Sequence, residues 1–295
     1  MSDPGGVRAV SIVEVGPRDG LQNAPDHYSA ESKVGFIEAL VHAGVRTVEA
    51  TSFVNALAVP RLSDADQVMC RLNRVEDVRY MALVPNERGY DRAVACDVNA
   101  IALFASATEA FSAANLHADI DETFERFLPV SRRATADKVW LRGYVSVAFG
   151  CPYSGEVDPG QVAAVAARLM ALCCDEIALA DTIGSADPCR VRTLLDVLDG
   201  VIPFERIAFH FHDTSGRAIA NVDTALAYGI RTFDSAAGGL GGCPFAPGAP
   251  GNLATERLVE HCESRGIVTG IDAEAVRRSV SRLHSEALPL VGTAI

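Results

Sequence analysis

The chain has 295 residues, 49% hydrophobic and 22% charged, the balance of an ordinary globular protein with length for one large domain or two small ones. Twenty-six Lys and Arg against 38 Asp and Glu leave a formal net charge of −12, a surface field that repels a polyphosphate backbone and excludes nucleic acid as a partner. No apolar run nears the ~20 residues that cross a bilayer, and Met1 to Gly6 hold no basic stretch leading into an apolar one, so no membrane is expected and the cytoplasm is the expected compartment.

Apolar, β-rich runs recur at residues 10–15, 47–53, 79–84, 100–105, 140–148, 176–180, 206–211 and 232–237. Each is followed by a segment with helical spacing, so parallel strands are expected. Ser29 and Gly44 bracket the first helix as cap and stop. Asp158-Pro159 opens a later one, whose stripe is Val162, Val165, Leu169 and Leu172. A final amphipathic stretch through Val276, Val280, Leu283 and Ala287 predicts an added C-terminal helix. No linker or change of composition divides the chain, so residues 1–295 are expected to form a single (β/α)8 TIM barrel. Alternation alone also fits a doubly wound sheet; the count of eight favours closure.

Eight cysteines stand at 70, 96, 151, 173, 174, 189, 243 and 262 without CxxC spacing, so reduced thiols are expected. The adjacent Cys173 and Cys174 read as a helix end packing into the core.

Polar residues gather where the predicted strands end, and in a parallel barrel those ends share the face that carries chemistry. His210-Phe211-His212 puts two imidazoles on one side of a strand, able to reach one point. A pair of hydrogen-bonded histidines would look the same. Asp19 after the first strand and Asn252 at the opening of a helix add a carboxylate and an amide oxygen, and such a mixed set suits octahedral Mg²⁺ or Mn²⁺ better than thiolate-bound zinc. Arg18 reads either as half of a buried salt bridge or as a cation that stabilises charge on a substrate oxygen. Glu49 and Asp181 could orient a ligand or fix the barrel lining. Residues 238–252 (GGLGGCPFAPGAPGN) carry too much Gly and Pro for a helix or strand, and so form a loop that delivers Cys243 to the barrel mouth.

Several of these segments together resemble the 3-hydroxy-3-methylglutaryl-CoA lyase family. They are residues 13–23 (VEVGPRDGLQN), 49–53 (EATSF), 142–146 (RGYVS), 150–153 (GCPY), 181–184 (DTIG), 210–214 (HFHDT) and the Cys243 loop. Related aldolases and acyl-transferring synthases share the barrel and the HxH pair but lack the cysteine loop. Position by position, the resemblance implies that Asp19, His210, His212 and Asn252 hold the metal. It implies catalytic roles for Arg18 and Cys243, a proton-accepting role for His210 or Asp19, and support from Glu49 and Asp181. The implied partner is an acyl-CoA, and a homo-oligomer stays open. The sequence departs from the family's habit at Ala24-Pro25, at Ala113-Ala114 and at Ser215, which points to altered contacts with the CoA moiety or acyl chain. The implied reaction is cleavage of a 3-hydroxy-acyl-CoA to acetyl-CoA and an oxo acid. A related hydroxy-oxoacid aldolase or synthase, and a non-catalytic binding barrel, are the alternatives.

Overall fold

A computed structural model of the chain describes residues 9–241 and 251–288. Eight parallel strands follow in sequence order: β1 (Ser11–Glu14), β2 (Thr47–Ser52), β3 (Arg79–Leu83), β4 (Ala100–Ser106), β5 (Trp140–Ser146), β6 (Glu176–Ala180), β7 (Ile207–His210) and β8 (Thr232–Ser235). Each pairs with the next, and β8 returns to β1 with Ser11 opposite Thr232 and Glu14 opposite Ser235, so the barrel is closed. This is the expected (β/α)8 fold.

The helices are α1 (Ala30–His42), α2 (Ala65–Arg71), α3 (Glu87–Ala95), α4 (Glu109–Leu116), α5 (Ile120–Ala136), α6 (Pro159–Ala171), α7 (Pro188–Leu198), α8 (Ala218–Ala227), α9 (Thr255–Ser264) and α10 (Ala273–Ser285). Their starts follow from the sequence. The Ser29 hydroxyl accepts from the Ser32 amide, Asp158 from Gly160, and Asp119 with Glu122 forms a reciprocal capping box on α5. The added C-terminal helix is α10, which buries Val276 and Leu283 and packs on α1.

The main core lies between strands and helices. The barrel interior is unusual for its small residues: Ala100, Ala102, Ala178, Ala208 and Ala236 stand inside with Val13, Val15, Met81 and Tyr144. Bulky branched side chains usually fill that space. Here the alanines make room for Arg142 of β5, which is fully buried. A buried guanidinium must be paired. Its Nη2 donates to Asp234 Oδ1 at 2.6 Å, its Nη1 to the Tyr144 hydroxyl at 2.9 Å, and its Nε stands 2.9 Å from Glu176 Oε1.

The expectation of wholly reduced thiols fails at one pair. Cys70 of α2 and Cys96 just after α3 form a disulfide across Cα atoms 5.0 Å apart. Their separation of 26 residues carries no recognisable spacing; the helices flanking β3 bring them together. Cys173 and Cys174 do end a helix, with Cys174 buried and Cys173 exposed at φ 62°.

Candidate metal and catalytic centre

The centre is assembled from the turn after β1, the end of β7 and the segment leading into α9. Gly16–Gly20 forms one wide helical turn, in which the amides of Arg18, Asp19 and Gly20 converge on the Val15 carbonyl at 3.2, 2.7 and 3.3 Å. Glu14 fixes the turn from beneath. Its Oε1 accepts from the amides of Gly16 at 2.8 Å and Ala237 at 2.9 Å, and its Oε2 from the Thr255 hydroxyl at 2.6 Å. Burial pushes this carboxyl up to about 7 even with those donors.

His210 ends β7, and His212 pairs with Asn252 through an isolated antiparallel bridge. The Asn252 amide nitrogen donates to Asp19 Oδ2 at 2.8 Å and to the Leu240 carbonyl at 3.0 Å. Gly241 lies against it at φ +96°, where a Cβ would come within 2.8 Å of Asn252 Nδ2. Only glycine fits both the conformation and the approach.

Ligand-capable atoms of Asp19, His210 and His212 all lie within 4.8 Å of one another. Asn252 Oδ1 is buried and has no hydrogen-bond partner among the described residues. A buried acceptor without a donor is costly unless a cation satisfies it. Two imidazoles, one carboxylate and one amide oxygen therefore fit a hard or borderline divalent ion with room for water or substrate oxygens. The charge states agree with that fit. Burial pushes His212 down to about 4, so it is neutral near pH 7 with a lone pair to give. Burial opposes ionisation of Asp19, but the charges of Arg18 and His210 outweigh it and hold the carboxyl below its usual range.

Arg18 stands beside this cluster, its Nε 2.6 Å from Glu49 Oε2 and its Nη1 2.5 Å from Asp19 Oδ1. Burial alone would depress the guanidinium; Glu49 and Asp19 more than offset it. Glu49 is wholly buried beside a register shift between Glu49 and Thr51, and burial raises its carboxyl despite Arg18. Arg18 is half of a buried salt bridge and also lines the cavity. Asp181 does not line the cavity. Its Oδ1 accepts from the Ser185 and Ala186 amides at 2.8 and 3.0 Å, shaping the loop after β6, while burial lifts it to about 6. Cys243 lies outside the described residues.

Above the cluster opens a cavity of about 600 Å³. Arg18, Asp19, His210 and His212 form its floor. One wall is apolar, with Leu83, Phe104, Phe111 and Phe127; the rim carries Gln22, Asn23, Asn115 and Arg126. The sequence profile of the HMGL-like family matches residues 9–283. The chain belongs to this family.

Its HMGL-like relatives include the hydroxymethylglutaryl-CoA lyase of Pseudomonas mevalonii, 46% identical over 288 residues that span 98% of this chain and 94% of the relative. A 3-hydroxy-3-isohexenylglutaryl-CoA/hydroxy-methylglutaryl-CoA lyase of Pseudomonas aeruginosa is 42% identical over 269 residues, 91% of this chain and 90% of its own. The crystal structure of the HMG-CoA lyase of Brucella melitensis superposes with a TM-score of 0.92 at 43% identity, covering 94% of this chain and 98% of that one.

For this HMGL-like chain, motif reading missed the charged residues inside the strands. Glu14 and Arg142 fall inside segments that carry the family resemblance and Asp234 inside a β-rich run, none with a role assigned, yet all three are buried and bonded. Parity was the usable signal: residues two apart share a face, so Arg142 goes with Tyr144 and Asp234 with Thr232, opposite the apolar Leu141, Val145 and Phe233 that pack against the helices. Of the departures from the family habit, the Pro25 carbonyl accepts from Arg61 Nη2 at 2.9 Å, and Ala113 and Ala114 are exposed on α4 beside the rim residue Asn115.

Proposed function

We propose that the protein is a divalent-metal-dependent carbon–carbon lyase that cleaves 3-hydroxy-3-methylglutaryl-CoA, or a close 3-alkyl homologue, to acetyl-CoA and acetoacetate or the matching oxo acid. The observation that carries the reading is the convergence of Asp19, His210 and His212 within 4.8 Å beside a buried Arg18, in a chain 46% identical to a lyase of that name. Asp19, His210, His212 and Asn252 would hold Mg²⁺ or Mn²⁺. When bound, the ion supplies Lewis-acid stabilisation of negative charge on substrate oxygens.

The remaining chemistry falls to side chains. The C3 hydroxyl proton passes to the Asp19 carboxylate, the C2–C3 electron pair moves onto the thioester as an enolate, and the C3 oxygen becomes the new carbonyl. Arg18, pinned by Glu49 and Asp19, presents its guanidinium to the enolate oxygen without reorganising during the reaction. Cys243 then gives the enolate carbon the proton that completes acetyl-CoA. The apolar wall of Leu83, Phe104, Phe111 and Phe127 suits the C3 substituent, and it supports testing longer 3-alkyl chains.

The test is acetyl-CoA release from a series of 3-hydroxy-3-alkylglutaryl-CoA thioesters with Mg²⁺ or Mn²⁺ added or chelated. Metal-dependent release from the methyl compound or a homologue is expected. No release from any thioester, together with cleavage of a free 4-hydroxy-2-oxo acid, would replace the lyase with an aldolase.

A further inference from the structure

His210 has two ring nitrogens, and only one faces the cluster. Its Nε2 lies 4.0 Å from Asp19 Oδ2, whereas its Nδ1 lies 3.2 Å from Asp234 Oδ2, in the opposite direction. Asp234 is 2% exposed and is not among the residues that line the cavity, so it touches no substrate. Its other oxygen, Oδ1, accepts from Arg142 Nη2 at 2.6 Å, and Arg142 is itself held by the Tyr144 hydroxyl and Glu176.

We infer that Asp234, oriented by Arg142, is the positioning residue that locks His210 in the Nδ1–H form and leaves the Nε2 lone pair free to bind a cation. An ionised carboxylate only accepts hydrogen bonds, so the neutral imidazole must carry its proton on the nitrogen facing it. Arg142 only donates, and therefore ties one carboxylate oxygen and directs the other at His210. The inference rests on the proposed ligand role of His210 and adds the element that decides which nitrogen serves.

Asp234→Asn separates this role from packing. The new amide has one oxygen and one NH2, and the Arg142 donor claims the oxygen. The NH2 then faces Nδ1, which must accept, and the proton moves to Nε2, where it blocks ligation. Nitrogen NMR of histidine-labelled, metal-free protein at mildly alkaline pH reads this directly, with His210→Gln to assign the signal. The wild type should show His210 as Nδ1–H, and Asp234→Asn should show it as Nε2–H. The affinity for Mn²⁺ should fall by about 10–100-fold, the loss typical of a missing outer partner; Arg142 keeps Glu176 but loses its buried partner Asp234, so the unfolding midpoint should fall as well, and both readouts are taken below it, in the folded variant. A wild-type His210 found as Nε2–H overturns the inference without any variant having to fold. So does an Asp234→Asn protein whose tautomer and Mn²⁺ affinity are unchanged. A wild type that binds Mn²⁺ through Nδ1–H His210 but cleaves no thioester would sink the lyase reading alone and leave this one standing.

Discussion

Arg18→Gln tests whether one guanidinium serves both structure and chemistry. Glu49 is fully buried, and Arg18 is its cationic partner at 2.5 Å. Removing one member of a buried pair costs about 3–5 kcal/mol, because the other charge is left uncompensated. The penalty depends on pH with a definite sign. Burial already raises Glu49, and without Arg18 it rises further. A carboxyl whose folded value lies above its unfolded one contributes stability in acid that is lost as pH rises through the folded value. The deficit of Arg18→Gln should therefore be larger near about pH 8 than near about pH 6. Turnover should fall by roughly 10²–10³, the usual cost of one lost donor to a developing oxyanion. Urea unfolding at the two pH values, alongside acetyl-CoA release, gives both numbers. The double variant Arg18→Gln/Glu49→Gln decides between the roles: stability should largely return, because no buried charge is stranded, while turnover stays low. If turnover returned with stability, Arg18 would be a counterion and nothing more.

His212→Ala should weaken Mn²⁺ binding by roughly 10-fold or more; unchanged affinity by titration would remove His212 from the ligand set. Cys243→Ser should lose about 10²-fold in turnover with substrate affinity less affected, if its thiol is the proton donor; wild-type turnover would reduce it to a loop residue. Glu14, pushed up to about 7 by burial, should make the wild type less stable as pH rises from the ordinary carboxyl range to 7. The total is on the order of 3 kcal/mol. Glu14→Gln should flatten that slope in denaturation curves, and an unaltered slope would count against a buried, titrating Glu14.

The fold was legible because eight β-rich runs and their caps at Ser29 and Asp158 obey local rules that the closed sheet does not override. The cluster was legible because His210 and His212 announce themselves by spacing, and Arg18-Asp19 by its place after a strand. The interior network was not, since Arg142 and Asp234 meet across 92 residues and their strands read as ordinary apolar runs. The disulfide escaped for the same reason, as its partners meet only through helix packing. Asp181 could be placed at a strand end, but whether it faced the cavity or the following loop depended on the backbone turn at Ser185 and Ala186.

Asp19 follows the first strand and Asn252 the last, 233 positions apart in the chain yet joined by a hydrogen bond, with Glu14 bonded to Ala237 and Thr255 along the same line. That line is the seam where the cylinder shuts. An ion shared by Asp19, Asn252 and the two histidines, as proposed, would act as a latch across it, gripping the shut form and favouring folding more as its concentration rises. During synthesis such a site would stay incomplete until residue 252, beyond the final strand, has left the ribosome. The four ligands would then meet only after β8 has closed on β1, and a copy truncated before residue 252 would keep all eight strands but lack the amide ligand.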